Sequence, residues 1–539
     1  MNTIKIYSRK ILIASLSASL LFGSCKKTLE VLPNSSFTDA TAFTTPARVE
    51  LAINGVYDAA QSGFYAGGAV RGYPFGAANI EQGDMRGEDM LNNALFYQIT
   101  YESTYNPTSA NQDFMFQTLY ALINRANLTI DGVNDAVSKN IITSAAGISY
   151  VAECRFLRAM AHHELLINYA RPFRDGNGDK MGIIYRDFGV STEATIAQAR
   201  AQKRTTVADN YAKLLADLDY AETNLPATTT GANKTYRATK AAAIALKMRV
   251  RLHMGDWAGV ITEGNKLVPA SAPYTSPIGG WTLMAAPNGP FTTAGWQGTE
   301  SIFSIRNSAT DNGGVNGALP NMLGPAAVTA PASGGGRALV RISPIIYNHP
   351  AFRCDDLRRN MMVTTGTGAS INYLSVKYID AVTSTDPAPQ IRYAEVLLTL
   401  AEAEARQGTG VNSRALELLN AVRNRAVTNV ANQYTAGSFA DKKAFIQAIL
   451  DERRIEFIAE GKRWGDIHRN AVDPDFSTGG IPAKVGTGTP PTTAYNCTAG
   501  SSVYTTPVGA IPYADYRFIW PIPNSERQVN PNFEQNPSY

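Results

Sequence analysis

The run His162-His163-Glu164 sets two imidazoles and a carboxylate side by side, the raw material of a zinc hydrolase. A zincin needs H-E-x-x-H, so that both rings share one helix face. The second histidine would stand at position 167, which is Ile167, and the run lies in a segment with core periodicity. The pattern therefore excludes a metalloprotease. Asp175-Gly176-Asn177-Gly178-Asp179 begins like a calcium loop, but the acid at the twelfth position falls on Arg186, so it reads as a polar turn. Glu452, Glu456 and Glu460 recur at i, i+4 and share a face. Paired carboxylates can hydrolyse glycosides. Here Arg453, Arg454, Lys462 and Arg463 are interleaved with them, and carboxylates held by arginines are poor general acids. The reading is an ion-pair network tying helices together. Neither a G-x-S-x-G elbow nor a Walker A loop is present. No cofactor motif and no catalytic constellation emerges.

The elements that would position any site are mostly helices, and they come in pairs. Apolar spacing predicts helices over 113–133 and 148–169, over 210–225 and 238–254, and over 393–406 and 414–426. A Gly255-Asp256-Trp257 turn leads into another helix over 258–268, and 445–461 reads as one further amphipathic helix. Such units resemble tetratricopeptide repeats, which bury their faces by stacking. Residues 61–108, 269–390 and 474–515 are rich in Gly, Ala, Pro, Asn, Thr and aromatics, and read as long loops with short strands. Loops of that length in a compact domain are usually functional.

The 539 residues are 44% hydrophobic, which excludes a disordered chain, and only 17% charged, against roughly 25% for an average domain. No basic patch speaks for nucleic acid. Lys5, Arg9 and Lys10 followed by the apolar run 11–22 read as a signal peptide over 1–24, too short to span a bilayer. Leu21-Phe22-Gly23-Ser24-Cys25 resembles a lipobox, which makes Cys25 the expected lipid anchor. Removing three basic residues takes the net charge from +4 to +1. The cysteines Cys25, Cys154, Cys354 and Cys497 contain no C-x-x-C pair, which excludes a zinc ribbon and a disulfide-dense scaffold. One bridge among the last three stays open. Cys154 falls in a core-reading helix, which favours a free buried thiol.

Ordered blocks along the chain then resemble the SusD/RagB family of outer-membrane nutrient-uptake lipoproteins. They are Leu29-Glu30-Val31-Leu32-Pro33, Ala52 to Tyr57, Ala152 to Ala159, and Ile391-Arg392-Tyr393-Ala394-Glu395 through Ala403. Leu419 to Ala426, Glu452 to Asp466 and Trp520-Pro521-Ile522-Pro523 through Tyr539 follow in order. The resemblance implies a mainly α fold, a tetratricopeptide-like helix-pair scaffold with long irregular loops and a few short strands. It implies one domain over 25–539, helical to about 268, loop-rich over 269–390 and helical again from 391. It also implies a binding protein and not an enzyme. Such a protein is lipid-anchored at the outer membrane and surface-exposed, and captures oligosaccharide for a TonB-dependent (SusC-like) transporter. Uptake of peptides and a helical scaffold without a ligand are the alternatives. Lys26 and Lys27 stand where surface-exported relatives often carry acids, so surface exposure rests on the family resemblance. Arg392, Glu395, Glu402, Arg423, Arg453, Glu456 and Trp464 are expected to hold helices together.

Sugars present apolar C–H faces and many hydroxyls, which aromatic rings and fixed Asn, Asp and Arg groups can meet. Two loop regions supply that mix. One holds Phe64, Tyr65, Tyr73, Phe75, Asn79, Asp84 and Arg86. The other holds Tyr274, Trp281 and Trp296, with Asn307 and Asp311 further on. Trp281 and Trp296 stand first, since both sit among Gly, Pro and Thr away from helical periodicity.

Overall fold

Long amphipathic runs become long helices here, each started by a small polar cap. The computed structural model describes residues 41–62, 71–325, 336–365, 372–498 and 503–539. Cys25, the signal peptide, Phe64 and Tyr65 lie outside the described residues. The helices of eight or more residues are α1 (Pro46–Ser62), α2 (Ala78–Arg86), α3 (Ala110–Ser138), α4 (Ser144–Tyr169), α5 (Glu193–Ala201) and α6 (Val207–Asn224). Then come α7 (Lys240–Met254), α8 (Trp257–Leu267), α9 (Tyr393–Gln407), α10 (Ser413–Arg423), α11 (Lys442–Glu456) and α12 (Lys462–Arg469). Thr143, Thr206, Thr239, Asp256, Asn412 and Asp441 each accept a backbone N–H at a helix start. Gly255 adopts φ +73° and closes α7, and Asp256 at once opens α8.

The helices stack in sequence. α1 packs on α3, α3 on α4, α4 on α6, α6 on α7, α7 on α8, α8 on α9, and α9 on both α10 and α11. Small buried residues, Ala241 to Ala243 in α7 and Ala401, Ala403 and Ala405 in α9, let backbones approach. One apolar core runs the length of this stack, from Val49 to Phe533. The protein is thus mainly helical with small two-strand sheets. The strands β1 (Met90–Asn92), β2 (Ser301–Ile305), β3 (Val340–Ile342), β4 (Met362–Thr365), β5 (Asn372–Ser375), β6 (Ala388–Arg392), β7 (Gly480–Ile481) and β8 (Ile511–Pro512) pair antiparallel as β1·β3, β2·β6, β4·β5 and β7·β8.

Two expectations need correction. The helix read over 445–461 ends at Glu456, and a turn with Ala459 at φ +63° and Gly461 at φ +70° separates it from α12. Gly461 lies against α2, where a Cβ would meet the Ile80 Cα at 2.6 Å, and a Cβ on Gly83 would meet the Gly461 carbonyl at 2.4 Å. Only glycine allows this crossing. The region 61–108 holds α2, whose polar and apolar residues alike are buried except Asn79, so no apolar stripe marks it as a helix.

The carboxylates of α11 and of the turn after it are ion-paired. Arg358 bonds Glu452 and Glu456, and Arg392 bonds Glu300, Glu456 and Glu460. Arg423 bonds Glu452, Arg425 bonds Glu300 and Glu456, and Lys377 bonds Glu460. Burial alone would raise the Glu456 carboxyl, but Arg425, Arg392 and Arg358 pull it down to about 2. Glu402 is likewise opposed by burial and is brought to about 2 by Arg469 and Arg406. Cys354 and Cys497 form a disulfide, and Cys154 is free and buried. His162 sits inside α4, where its Nδ1 meets the Arg158 carbonyl and its Nε2 accepts the Arg186 N–H.

Candidate ligand-binding site

α1 has two faces. Val49, Ile53, Val56 and Ala60 bury one against α3 and α4. The other carries Glu50, Asn54, Asp58 and Gln61, spaced four, four and three residues apart, which line a cavity of about 440 Å³. The segment before α7 adds Asn233, Tyr236 and Arg237, and the end of β2 with its following loop adds Arg306, Asn307, Ser308 and Asp311.

Arg237 organises one wall. It donates to Glu153 at 2.5 and 2.8 Å, to Glu50 at 2.6 Å and to Asn54 at 3.2 Å. The Tyr57 hydroxyl donates to Glu153 at 2.6 Å and accepts the Ala238 N–H at 2.9 Å. Burial, and then the Glu153 charge, push the Tyr57 phenol well above its usual range, so it stays a donor. Burial also acts to raise Glu50, yet hydrogen bonds from Tyr150 and Arg237 hold it below the usual carboxylate range.

The opposite wall is less committed. Tyr236 is half-buried, and the exposed Arg306 guanidinium stands 5.9 Å from its ring centre. The Tyr236 hydroxyl has no hydrogen-bond partner among the described residues. Burial and the nearby Asp311 charge raise the Asp58 carboxyl, and Arg125 opposes them. Gln61 donates to Asn307 at 3.0 Å and to the Asp311 carbonyl at 2.9 Å, fixing the loop to the end of α1. The cavity thus offers phenol rings, amides, carboxylates and a guanidinium without an ion pair among the described residues, a set that hydrogen-bonds a polyhydroxyl ligand. It contains no histidine or cysteine, and the Ser308 hydroxyl is directed at the Asp311 carbonyl at 3.4 Å, with no base beside it.

Of the residues singled out in the sequence, Asn307 and Asp311 line this cavity. The others with described positions do not. Trp281 is 1% exposed, with Lys234 5.5 Å from its ring. Trp296 is 6% exposed, parallel to Tyr378 and edge-on to Phe291. The Tyr274 hydroxyl donates to Glu417 at 2.9 Å. Tyr73 packs against Phe114 and accepts from Gln82, and Phe75 is buried. Asn79 donates to Gln390 at 2.9 Å, and the Asp84 carboxylate accepts the Gly461 N–H at 3.0 Å. Arg86 lies 3.4 Å from the Trp464 ring centre and 4.8 Å from that of Trp520, and donates to Asn168 and the Phe518 carbonyl. Large aromatics recover more free energy by burial than in an exposed loop, so a Gly- and Pro-rich context marked irregular backbone and not exposure. Tyr57, Asp58, Gln61, Tyr236 and Arg306 were missed. The polar stripe Asn54, Asp58 and Gln61, opposite an apolar one, is the signal that points to them.

Comparison with known proteins agrees with this architecture. The model of the SusD family matches residues 364–539, and that of a family described as starch-binding and associating with outer membrane matches 28–252. SusD-like protein P38 of Formosa agariphila is 23% identical over 489 residues, covering 83% of this chain and 88% of that protein. A SusD superfamily protein from Bacteroides fragilis superposes with a TM-score of 0.72 at 24% identity, covering 92% of this chain and 100% of the other. Surface glycan-binding protein A from Bacteroides thetaiotaomicron, solved with laminarihexaose, superposes at 0.65 with 17% identity, over 92% of this chain and 100% of that one. The helix stack and these matches at both ends of the chain show a SusD-like fold, its C-terminal part similar to the SusD family and its N-terminal part to the family described as starch-binding and associating with outer membrane.

Proposed function

We propose that this protein captures an oligosaccharide in the cavity between α1, the segment before α7 and the loop after β2, and passes it to a TonB-dependent transporter of the outer membrane. Cys25 carries the lipid that holds it there. The observation that supports this most is the cavity's composition. Tyr236 and Arg306, whose hydroxyl and guanidinium have no hydrogen-bond partner among the described residues, and the Gln61–Asn307 amide pair stand round one space of about 440 Å³. Similarity to a family described as starch-binding and outer-membrane-associated supports the ligand class and the location. So does the fold shared with a glycan-binding protein solved with laminarihexaose.

Calorimetry against a panel of polysaccharides and oligosaccharides tests the reading. Binding without cleaved product is expected, and Tyr236→Ala weakens it about tenfold, the loss of one aromatic contact with its hydrogen bond. Free charges at Asp58, Asp311 and Arg306 favour a second reading, a short polar peptide, so peptides belong in the same panel. Pull-down of an outer-membrane barrel with the lipidated protein, and its loss in Cys25→Ser, tests the membrane part.

A further inference from the structure

One acid stands behind the cavity wall without lining the cavity. Glu153 lies on α4 and is 5% exposed. It accepts from two residues that do line the cavity. Tyr57 of α1 donates its hydroxyl to Oε2 at 2.6 Å. Arg237, in the segment before α7, donates from Nε to Oε2 at 2.5 Å and from Nη2 to Oε1 at 2.8 Å. The same guanidinium lies 5.3 Å from the centre of the Tyr57 ring. α1, α4 and the segment before α7 thus meet on one carboxylate, through short, charge-assisted bonds.

Arg237 passes this order on to the wall. Its Nη1 donates to Glu50 at 2.6 Å and to Asn54 Oδ1 at 3.2 Å. A guanidinium carries only donors, so the Asn54 oxygen is the atom turned toward it. The Asn54 Nδ2 is left with no hydrogen-bond partner among the described residues, on an exposed side chain that lines the cavity. The Tyr57 hydroxyl is consumed by Glu153 and by the Ala238 N–H, which leaves its ring as the part a ligand can meet. Glu153 therefore holds Tyr57 directly and Asn54 through Arg237.

We propose that Glu153 is a positioning residue of the ligand site. It touches no ligand, and it fixes Arg237, the Tyr57 ring and the Asn54 amide in the geometry that receives one. Side chains locked by hydrogen bonds from behind need not be ordered when ligand arrives, so more of each contact appears as affinity. Arginine is the residue suited to the link. Its planar fork meets both Glu153 oxygens while a further N–H reaches Glu50 and Asn54, and a lysine has no such fork. The role rests on the reading of the cavity as a ligand site given above.

Calorimetry with the best panel ligand on the full chain tests it, in Glu153→Gln, Asn54→Ala and the two combined, with melting curves to check that each is folded. Each single change is expected to weaken binding about tenfold, the loss of one well-placed hydrogen bond. The pair should fall well short of the roughly hundredfold product of independent losses, because Glu153 acts through Asn54. In an Arg306→Ala background, on the opposite wall, Glu153→Gln should keep its full factor. A merely structural role would not separate these two backgrounds. Native affinity in folded Glu153→Gln, or the full product in the pair, overturns the role. Arg237→Lys keeps the charge and loses the fork, so it carries the same test should Glu153→Gln not fold. Weakening of about tenfold is expected there, and native affinity overturns the role equally. If the native chain binds nothing in the panel, the cavity reading fails and the positioning role with it. If the native chain binds ligand and either overturning result appears, the positioning role alone fails.

Discussion

Two regions of this molecule treat charge in opposite ways. Behind α11, five acids (Glu300, Asp356, Glu452, Glu456 and Glu460) face five bases (Arg358, Lys377, Arg392, Arg423 and Arg425). Every member is buried and paired. At the end of α1, Asp58, Asp311, Arg306 and the Tyr236 hydroxyl are left uncommitted around a cavity. Matched buried charges can do nothing further, because each is consumed by its partner. Uncommitted groups on a rigid wall are already ordered and still able to bind. In this fold, density of charged residues marks the scaffold, and uncommitted polar groups around a cavity mark the site.

The largest effect expected from breaking that contrast is in the paired region. Arg392→Ala leaves Glu300, Glu456 and Glu460 with only Arg425, Arg358 and Lys377, one cation short in the core, and should cost about 3–5 kcal/mol of stability in denaturant titration. The next effect is in pH dependence. Burial raises the Glu81 carboxyl to about 8, against a hydrogen bond from Tyr97 that lowers it. The folded state therefore holds a proton that the unfolded state has lost above about 4.3, so stability falls as pH rises from there to about 8. Glu81→Gln should remove that loss, its advantage over the native chain growing between pH 5 and 8 by on the order of 1–3 kcal/mol. Glu456 has the opposite sign. Its folded value of about 2 gives stability that is complete above the unfolded value and lost as pH falls through 2. Smaller again is Tyr236→Ala, expected to weaken ligand binding about tenfold with little change in melting. The smallest is Arg306→Ala, an exposed change without an ion pair, expected to stay within about 0.5 kcal/mol in stability.

The scaffold was legible because its helices are long. α3, α4, α6 to α8 and α9 repeat their apolar residues over several turns, and α4, α6, α7 and α8 start on capping residues. The Glu452, Glu456, Glu460 stripe was legible as ion-paired, but its partners are Arg358, Lys377, Arg392, Arg423 and Arg425. The interleaved Arg453, Arg454, Lys462 and Arg463 pair instead with Asp466, Asp89, Glu395 and Glu88. α2 escaped because its nine residues are mostly polar yet buried, so no apolar face sets its period. The break after Glu456 escaped because it depends on how Gly461 meets Gly83, residues far apart in the chain. The ligand-binding candidates were read from aromatic rings in irregular segments. Trp281 and Trp296 obeyed a stronger rule and went into the core. What the cavity needs is a meeting of α1, the segment before α7 and the loop after β2, and no local pattern encodes that meeting. Only Asn307 and Asp311 were drawn from the right stretch.

The central claim is that ligand is met by the uncommitted groups of the α1 cavity and not by the buried rings. Isothermal titration of the best panel ligand into native protein, Tyr236→Ala and Trp281→Phe decides it. The account predicts binding without turnover in the native chain, a loss of about tenfold in Tyr236→Ala, and native affinity in Trp281→Phe. Native affinity in Tyr236→Ala, together with lost binding in a folded Trp281→Phe, would contradict it.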